Sequence, residues 1–310
     1  MTTQASETAV ATPTHQQLPL IGSLMAIGAG FVWSLGVITA KKSPHADTWQ
    51  YLIWRSIGII VVIEIVSVIR GTGAVTPKAY RSGRIVWLGC FCLWLASIAF
   101  VYALKTTTAA NAAFLSSISP LVAVVLARTF LGERLNRVTA GAIVVALVGL
   151  AVTVMSDLSA GNMAGNISAL LSAVGFAGYT VCVRSDQTRD WSPVLPGYAV
   201  FMILVCGTIT VINGKPLVPP LGDVSLAVLH GAVFIVVGTL LFNHGSRTVT
   251  AVALSIFALS EFIFAPLWGY LVASETPKVL TLVGGAIVLA AVVGKALLDA
   301  RSRPMQPFGG

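Results

Sequence analysis

The chain has 310 residues, 56% of them hydrophobic and 10% charged, with a mean hydropathy of +0.89. Soluble domains carry roughly 25% charged residues, so this composition excludes a water-soluble globule or a disordered chain, and the length allows about ten membrane-spanning helices. The net charge of +8 comes with no nucleic-acid-reading motif, and Cys90, Cys92, Cys182 and Cys206 have neither zinc-site nor disulfide-framework spacing, so they read as small buried hydrophobes.

Residues 1–17 are polar and lack Lys and Arg, unlike the basic start of a cleavable signal peptide, so the first helix is expected to be retained. Ten apolar runs follow, at 18–40, 47–69, 84–104, 108–131, 138–156, 163–183, 192–213, 224–244, 248–272 and 277–298. Each is close to the roughly 20 residues that cross hydrocarbon at about 1.5 Å per residue. The basic residues test this division. Placing the N-terminus inside puts Arg70, Lys78, Arg81, Arg84, Arg128, Arg134, Arg137, Arg184, Arg189, Arg247, Lys295, Arg301 and Arg303 on the cytoplasmic side. The other side then carries only Lys41, Lys42, Lys105, Lys215 and Lys278. That bias predicts a multi-pass protein of a bacterial inner membrane, with both tails, 1–17 and 299–310, in the cytoplasm.

The chain also echoes itself. A shift of 142 residues pairs Gly89 with Gly231, Phe100 with Phe242, Thr106 with Thr248, Thr108 with Thr250, Ala109 with Ala251 and Glu133 with Glu275, and sets Lys105 against Arg247. Five spans per half make the second half enter from the opposite side. The expected fold is therefore an all-α membrane protein of ten transmembrane helices in two inverted five-helix repeats, 18–156 and 163–298. Such halves rock around a midplane site in transporters.

The run Ser119-Pro120-Leu121 through Phe130-Leu131-Gly132-Glu133-Arg134-Leu135, with the Gly-rich span from Gly141, resembles the drug/metabolite transporter superfamily, EamA type. Leu259-Ser260-Glu261 to Ser274-Glu275-Thr276-Pro277 echoes it, and Trp33-Ser34 and Trp54-Arg55 also match family positions. Within the family the chain is similar to bacterial aromatic amino acid exporters. The resemblance implies a basket of ten helices around a central cavity and export of amino acids. Phe262 stands where the second repeat often has proline, and Pro266 appears instead, so the family's kink in that helix moves or is lost.

Three ionisable residues lie inside spans: Arg55, Glu64 and Glu261. Each costs about 2.5 to 3.5 kcal/mol at a helix centre, so each should face a cavity or a partner. Arg55 and Glu261 lie at similar depth. They read either as groups that bind cargo charge or couple a proton, or as a buried pair locking the second and ninth spans. Glu64 reads as snorkelling or pairing with an interfacial arginine. Trp33, Trp94, Tyr102 and Tyr179 fall on the spans expected around the cavity, as faces for an aromatic ring or as packing. Trp87, Trp191, Trp268 and Tyr270 read as interfacial belt residues. Ser34, Asn111, Ser116, Asn243 and His244 complete the candidate binding set, with Ser116 alternatively satisfying backbone near Pro120 and His244 alternatively a satisfied interfacial histidine. Pro120, Pro196 and Pro266 are candidate hinges.

No phosphate-cradle motif, metal cluster or nucleophile–base pair stands out, so neither a catalytic residue nor a metal or other cofactor is expected. The expected partners are the lipid bilayer and a small-molecule cargo, amino acids and aromatic ones first, with no nucleic acid. The alternative is a multidrug or cationic-compound exporter, or a permease for another metabolite, on the same fold.

Overall fold

The computed structural model describes residues 17–131, 137–155, 163–186, 188–247, 258 and 260–302. The described residues are helical, with no strand. In chain order the helices are α1 Gln17–Ser34, α2 Gly36–Lys41, α3 Thr48–Ile69, α4 Thr76–Arg81, α5 Arg84–Thr106, α6 Ala109–Ser116, α7 Ser119–Leu131 and α8 Arg137–Met155. They continue with α9 Met163–Ser185, α10 Val194–Ile212, α11 Leu221–Leu229, a π-helical turn His230–Ile235, α12 Val236–Gly245, α13 Ser260–Ala273 and α14 Val279–Ser302. Seven helical segments are long and apolar enough to cross a membrane, and three shorter apolar ones lie in α8, α13 and α14. The first part of the ninth apolar run falls outside the described residues.

Hydrocarbon offers no partner to a backbone N–H or C=O, so each segment bonds internally and its ends need caps. Asp47 starts α3 with a capping box: its side chain accepts from Gln50 N, and Gln50 Oε1 accepts from Asp47 N. Thr108 Oγ1 accepts from Asn111 N at the start of α6. Two helices end alike. After α3, Gly71 has φ 65°, with Gly71 N bonded to Val68 O and Thr72 N to Ser67 O. After α10, Gly214 has φ 64°, with Gly214 N bonded to Val211 O and Lys215 N to Thr210 O. Only glycine takes this left-handed position without steric cost.

The helices pack in pairs: α5 along α9, α1 along α12, α3 against α10, and α8 along α14. Small residues permit this. A Cβ on Gly149 in α8 would meet Gly284 O of α14 at 2.7 Å, and one on Gly30 in α1 would meet Ala258 O at 2.8 Å, whereas Gly141 and Gly294 face open space. Trp191 is buried and Trp268 half-buried, each with its indole N–H bonded inward, to Asp186 O and Ser34 Oγ. The belt reading of these two is corrected, because an internal acceptor satisfies the indole that an interface would otherwise solvate.

The segments 42–47, 105–109, 214–223 and 274–278 meet on one face. Asp223 accepts from His45 N and Ala46 N, Lys215 pairs with Asp47, and Lys105 donates to Ser43 O and Ala46 O. The opposite face gathers 72–84 with 186–198, where Arg189 Nη1 donates to Ser82 O. Glu64 accepts from Val75 N, Thr76 N and Thr76 Oγ1. It thus caps α4 instead of snorkelling or meeting an arginine, because the return of the chain at 75–76 brings unpaired donors to it.

Candidate functional site

A cavity of about 100 Å³ lies between the two halves. Its wall from the first half comprises Trp33, Gly36 and Val37 at the α1–α2 break, Arg55 on α3, one face of α5 from Leu93 to Leu104, and Ser116 and Ser119 flanking the α6–α7 break. The second half supplies Ser172 and Phe176 on α9, Tyr198 on α10, His230 and Ile235 of the π turn, Thr239 on α12, and Ala258 with Glu261 near the start of α13.

One basic and one acidic side chain line this space. Arg55 is only 2% exposed; its guanidinium donates to Ser97 Oγ, and its Nε has no partner. A buried guanidinium with unused donors in a membrane interior is a site for a carboxylate or another planar anion. Glu261 is partly buried on the same wall, and among the described residues its carboxylate makes no hydrogen bond or ion pair. Aromatic faces stand between them: Trp33 packs edge-on against Phe176 at 5.9 Å, and both line the cavity with Phe100 and Tyr198. The site therefore offers a guanidinium, a carboxyl group and apolar ring surfaces, and can hold a molecule carrying polar groups and a hydrophobic body.

Of the residues singled out from sequence, Trp33, Arg55, Ser116 and Glu261 stand at this wall. Ser116 Oγ donates to Ala169 O of α9 at 3.1 Å, so it bridges helices and does not serve the backbone near Pro120. The others stand elsewhere. Ser34 Oγ donates to Phe31 O and accepts from Trp268 Nε1. Tyr179 is fully buried, and its hydroxyl donates to Asn243 Oδ1 at 2.8 Å. Asn111 is buried against Thr107 and Thr108, Tyr102 packs on Trp49 at 5.9 Å, and Trp94 packs on Phe91 at 5.6 Å with its indole N–H unpartnered. His244 is exposed near the end of α12. Pro120 and Pro196 lie in the first turns of α7 and α10, where a missing N–H costs no intrahelical bond, and Pro266 alone is internal to its helix.

Ser97, Phe176, Tyr198, His230 and Thr239 reach the cavity although sequence reasoning passed over them. Only His230 carried a usable signal, a titratable side chain in the interior of the eighth apolar run.

Apolar helices of membrane length, with both halves contributing to a largely apolar cavity that carries Arg55 and Glu261, are the build of a multi-pass membrane transporter. The EamA-like transporter family matches residues 20–155 and again 163–295, and the chain belongs to that family, within the drug/metabolite transporter superfamily. It is 27% identical over 284 residues to the pseudopaline exporter CntI of Pseudomonas aeruginosa, covering 88% of this chain and 94% of that protein. It is 22% identical over 294 residues to human solute carrier family 35 member G1, covering 90% of this chain and 80% of that protein. A solved crystal structure superposes with a TM-score of 0.65 at 21% identity, over 90% of this chain and 98% of that one, a likeness of fold.

Proposed function

We propose that the chain exports small zwitterionic metabolites, aromatic amino acids among them, across a bacterial inner membrane, by alternating access between two oppositely inserted five-helix repeats. The observation that carries the reading is the shared wall of Arg55 and Glu261 around an aromatic-lined cavity. A free amino acid presents a carboxylate, an ammonium and a side chain, and this wall has a counterpart for each.

The pairing of helices supports the repeat. Exchanging the first five spans with the last five turns the α5–α9 contact into the α12–α1 contact and returns the α3–α10 and α8–α14 contacts to themselves. Gly71 and Gly214 end related helices, α3 and α10, with the same motif. The segments that follow the first and sixth spans lie on opposite faces, one with Asp223 and the other with Ser82. This supports inverted insertion.

Uptake of radiolabelled phenylalanine, tryptophan, methionine and a quaternary cation into liposomes, with mutual competition, tests the cargo. The amino acids are expected to be carried and to compete, and Glu261→Gln to alter their transport. Transport of the quaternary cation alone would overturn the reading in favour of a cationic-compound exporter. A second reading, a permease for a different metabolite, is favoured by the pseudopaline exporter's 27% identity across nearly its whole length. Competition by pseudopaline without competition by phenylalanine would support it.

A further inference from the structure

His230 opens the π turn, is 4% exposed and forms part of the cavity wall. A chain of hydrogen bonds behind it fixes where its proton sits. Thr39 Oγ1 donates to Gly36 O at 2.9 Å, which uses the threonine's only proton. Tyr51 Oη donates to Thr39 Oγ1 at 2.9 Å, which uses the phenol's. The 2.8 Å contact between Tyr51 Oη and His230 Nδ1 therefore has one polarity: Nδ1–H donates to the phenol oxygen. In the neutral ring Nε2 then carries a lone pair.

Among the described residues no neighbour uses that lone pair. Among the described residues Nε2 has no hydrogen-bond partner, and it lies against Gly36, itself part of the cavity wall, where a Cβ would overlap it. The charged and titratable groups around this chain are Arg55, one turn from Tyr51 on α3, Lys105 with its Nζ 4.9 Å from the Tyr51 ring centroid, Asp223 on α11, committed to His45 N and Ala46 N, and Glu261, which lines the same cavity. The wall thus presents an oriented acceptor whose tautomer is held by two side chains that never reach the cargo.

We propose that His230 Nε2 accepts a hydrogen bond from an N–H of the cargo's ammonium group, with Tyr51 and Thr39 as positioning residues. This rests on the zwitterion reading and deepens it into a selectivity rule: an amine that keeps at least one N–H is carried, and a quaternary ammonium of the same shape is rejected.

The test is transport by the full chain in liposomes of phenylalanine and its N-methyl, N,N-dimethyl and N,N,N-trimethyl derivatives. The first three are expected to be carried, and the trimethyl compound, which has lost its last N–H, to show a KM higher by about 10-fold or more. His230→Leu is expected to raise KM for phenylalanine by about the same factor, with kcat unchanged, and to abolish the step in the series. Tyr51→Phe, which releases the tautomer, is expected to shrink that step, whereas loss of a merely structural contact would lower turnover for all four compounds alike. If His230→Leu fails to fold, Gly36→Ala, which places a methyl against Nε2, takes its place, and the unmodified chain's own series stands as a test without any variant. A trimethyl compound carried as well as phenylalanine, or a step that survives in His230→Leu, overturns the proposal alone. Failure to carry any of the four overturns the zwitterion reading and this inference with it.

Discussion

Lys41 and Glu275 form an ion pair of 2.5 Å that joins the end of α2 to the segment before α14, and so joins the two halves of the chain. The same carboxylate accepts from Ala109 N at 2.8 Å, and Lys41 Nζ also donates to Thr107 O at 3.0 Å. Both side chains are largely shielded, so the pair is less screened than a surface bridge. With Lys215–Asp47 and the Asp223 carboxylate, it ties together the segments on one face of the molecule.

Loosening this latch should open that face. In a background without the native cysteines, Leu104→Cys, just inside it, is expected to label slowly with an impermeant maleimide added on the side of that face. Glu275→Gln should raise that rate on the order of 10-fold, the effect of about 1.4 kcal/mol on a two-state equilibrium. The double exchange Lys41→Glu with Glu275→Lys should return the rate towards its starting value. Equal labelling in all three proteins would show that the pair does not gate access.

Gly231 sits where the π turn crosses α3, and a Cβ there would collide with the carbonyl of Arg55. A methyl in a packed contact with backbone costs about 1 to 3 kcal/mol. Gly231→Ala should therefore lower Tm in detergent and, by displacing Arg55, raise KM. Gly207→Ala, whose Cβ meets nothing within 4 Å, should leave both unchanged.

Glu64 satisfies three donors where the chain turns from α3 into α4. Removing a capping carboxylate costs about 1 to 2 kcal/mol, so Glu64→Ala should lower Tm by a few degrees while cargo KM stays constant. A large change in KM would mean that α4 communicates with the cavity.

On the opposite face, hydrogen bonds from Thr188 and Arg189 hold the Asp186 carboxyl below the usual carboxylate range. Because the folded value is the lower one, its contribution is complete above the unfolded value of about 4 and is lost as pH falls through the folded value. Amide exchange in 188–193, corrected for intrinsic rate, should stay flat from neutral pH to about 5 and rise only below about 4. Asp186→Asn should remove that rise, and a rise centred near neutrality would point to a different group.

The helices were legible because bilayer thickness fixes the length of an apolar run, and capping residues such as Asp47 and Thr108 mark their ends. Arg55 and Glu261 were legible because hydrocarbon makes an ionised side chain conspicuous. Tyr179 and Asn243 show where such reading stops. The Tyr179 hydroxyl bonds to Asn243 Oδ1, and a polar residue in an apolar helix looks the same in sequence whether its partner is a neighbouring helix or a cargo. Pro196 looked like a hinge because composition does not reveal that it falls in a first turn. His230 was passed over among scattered histidines because nothing in the sequence announces a π turn.

That turn has one further consequence. A π-helical turn accommodates about one residue more than an α-helical one, so winding the same residues regularly would swing everything after 235 by about 100°, whereas deleting one residue between 231 and 235 would let the segment wind regularly with the rest left in place. Under regular winding of the full-length segment Thr239 would leave the cavity, and Gly238, against which the Trp33 indole rests, would turn away from that contact. The wider turn thus sets the azimuth of a whole half-helix, and the hydrogen-bonding pattern there governs what the cargo meets as directly as any substitution.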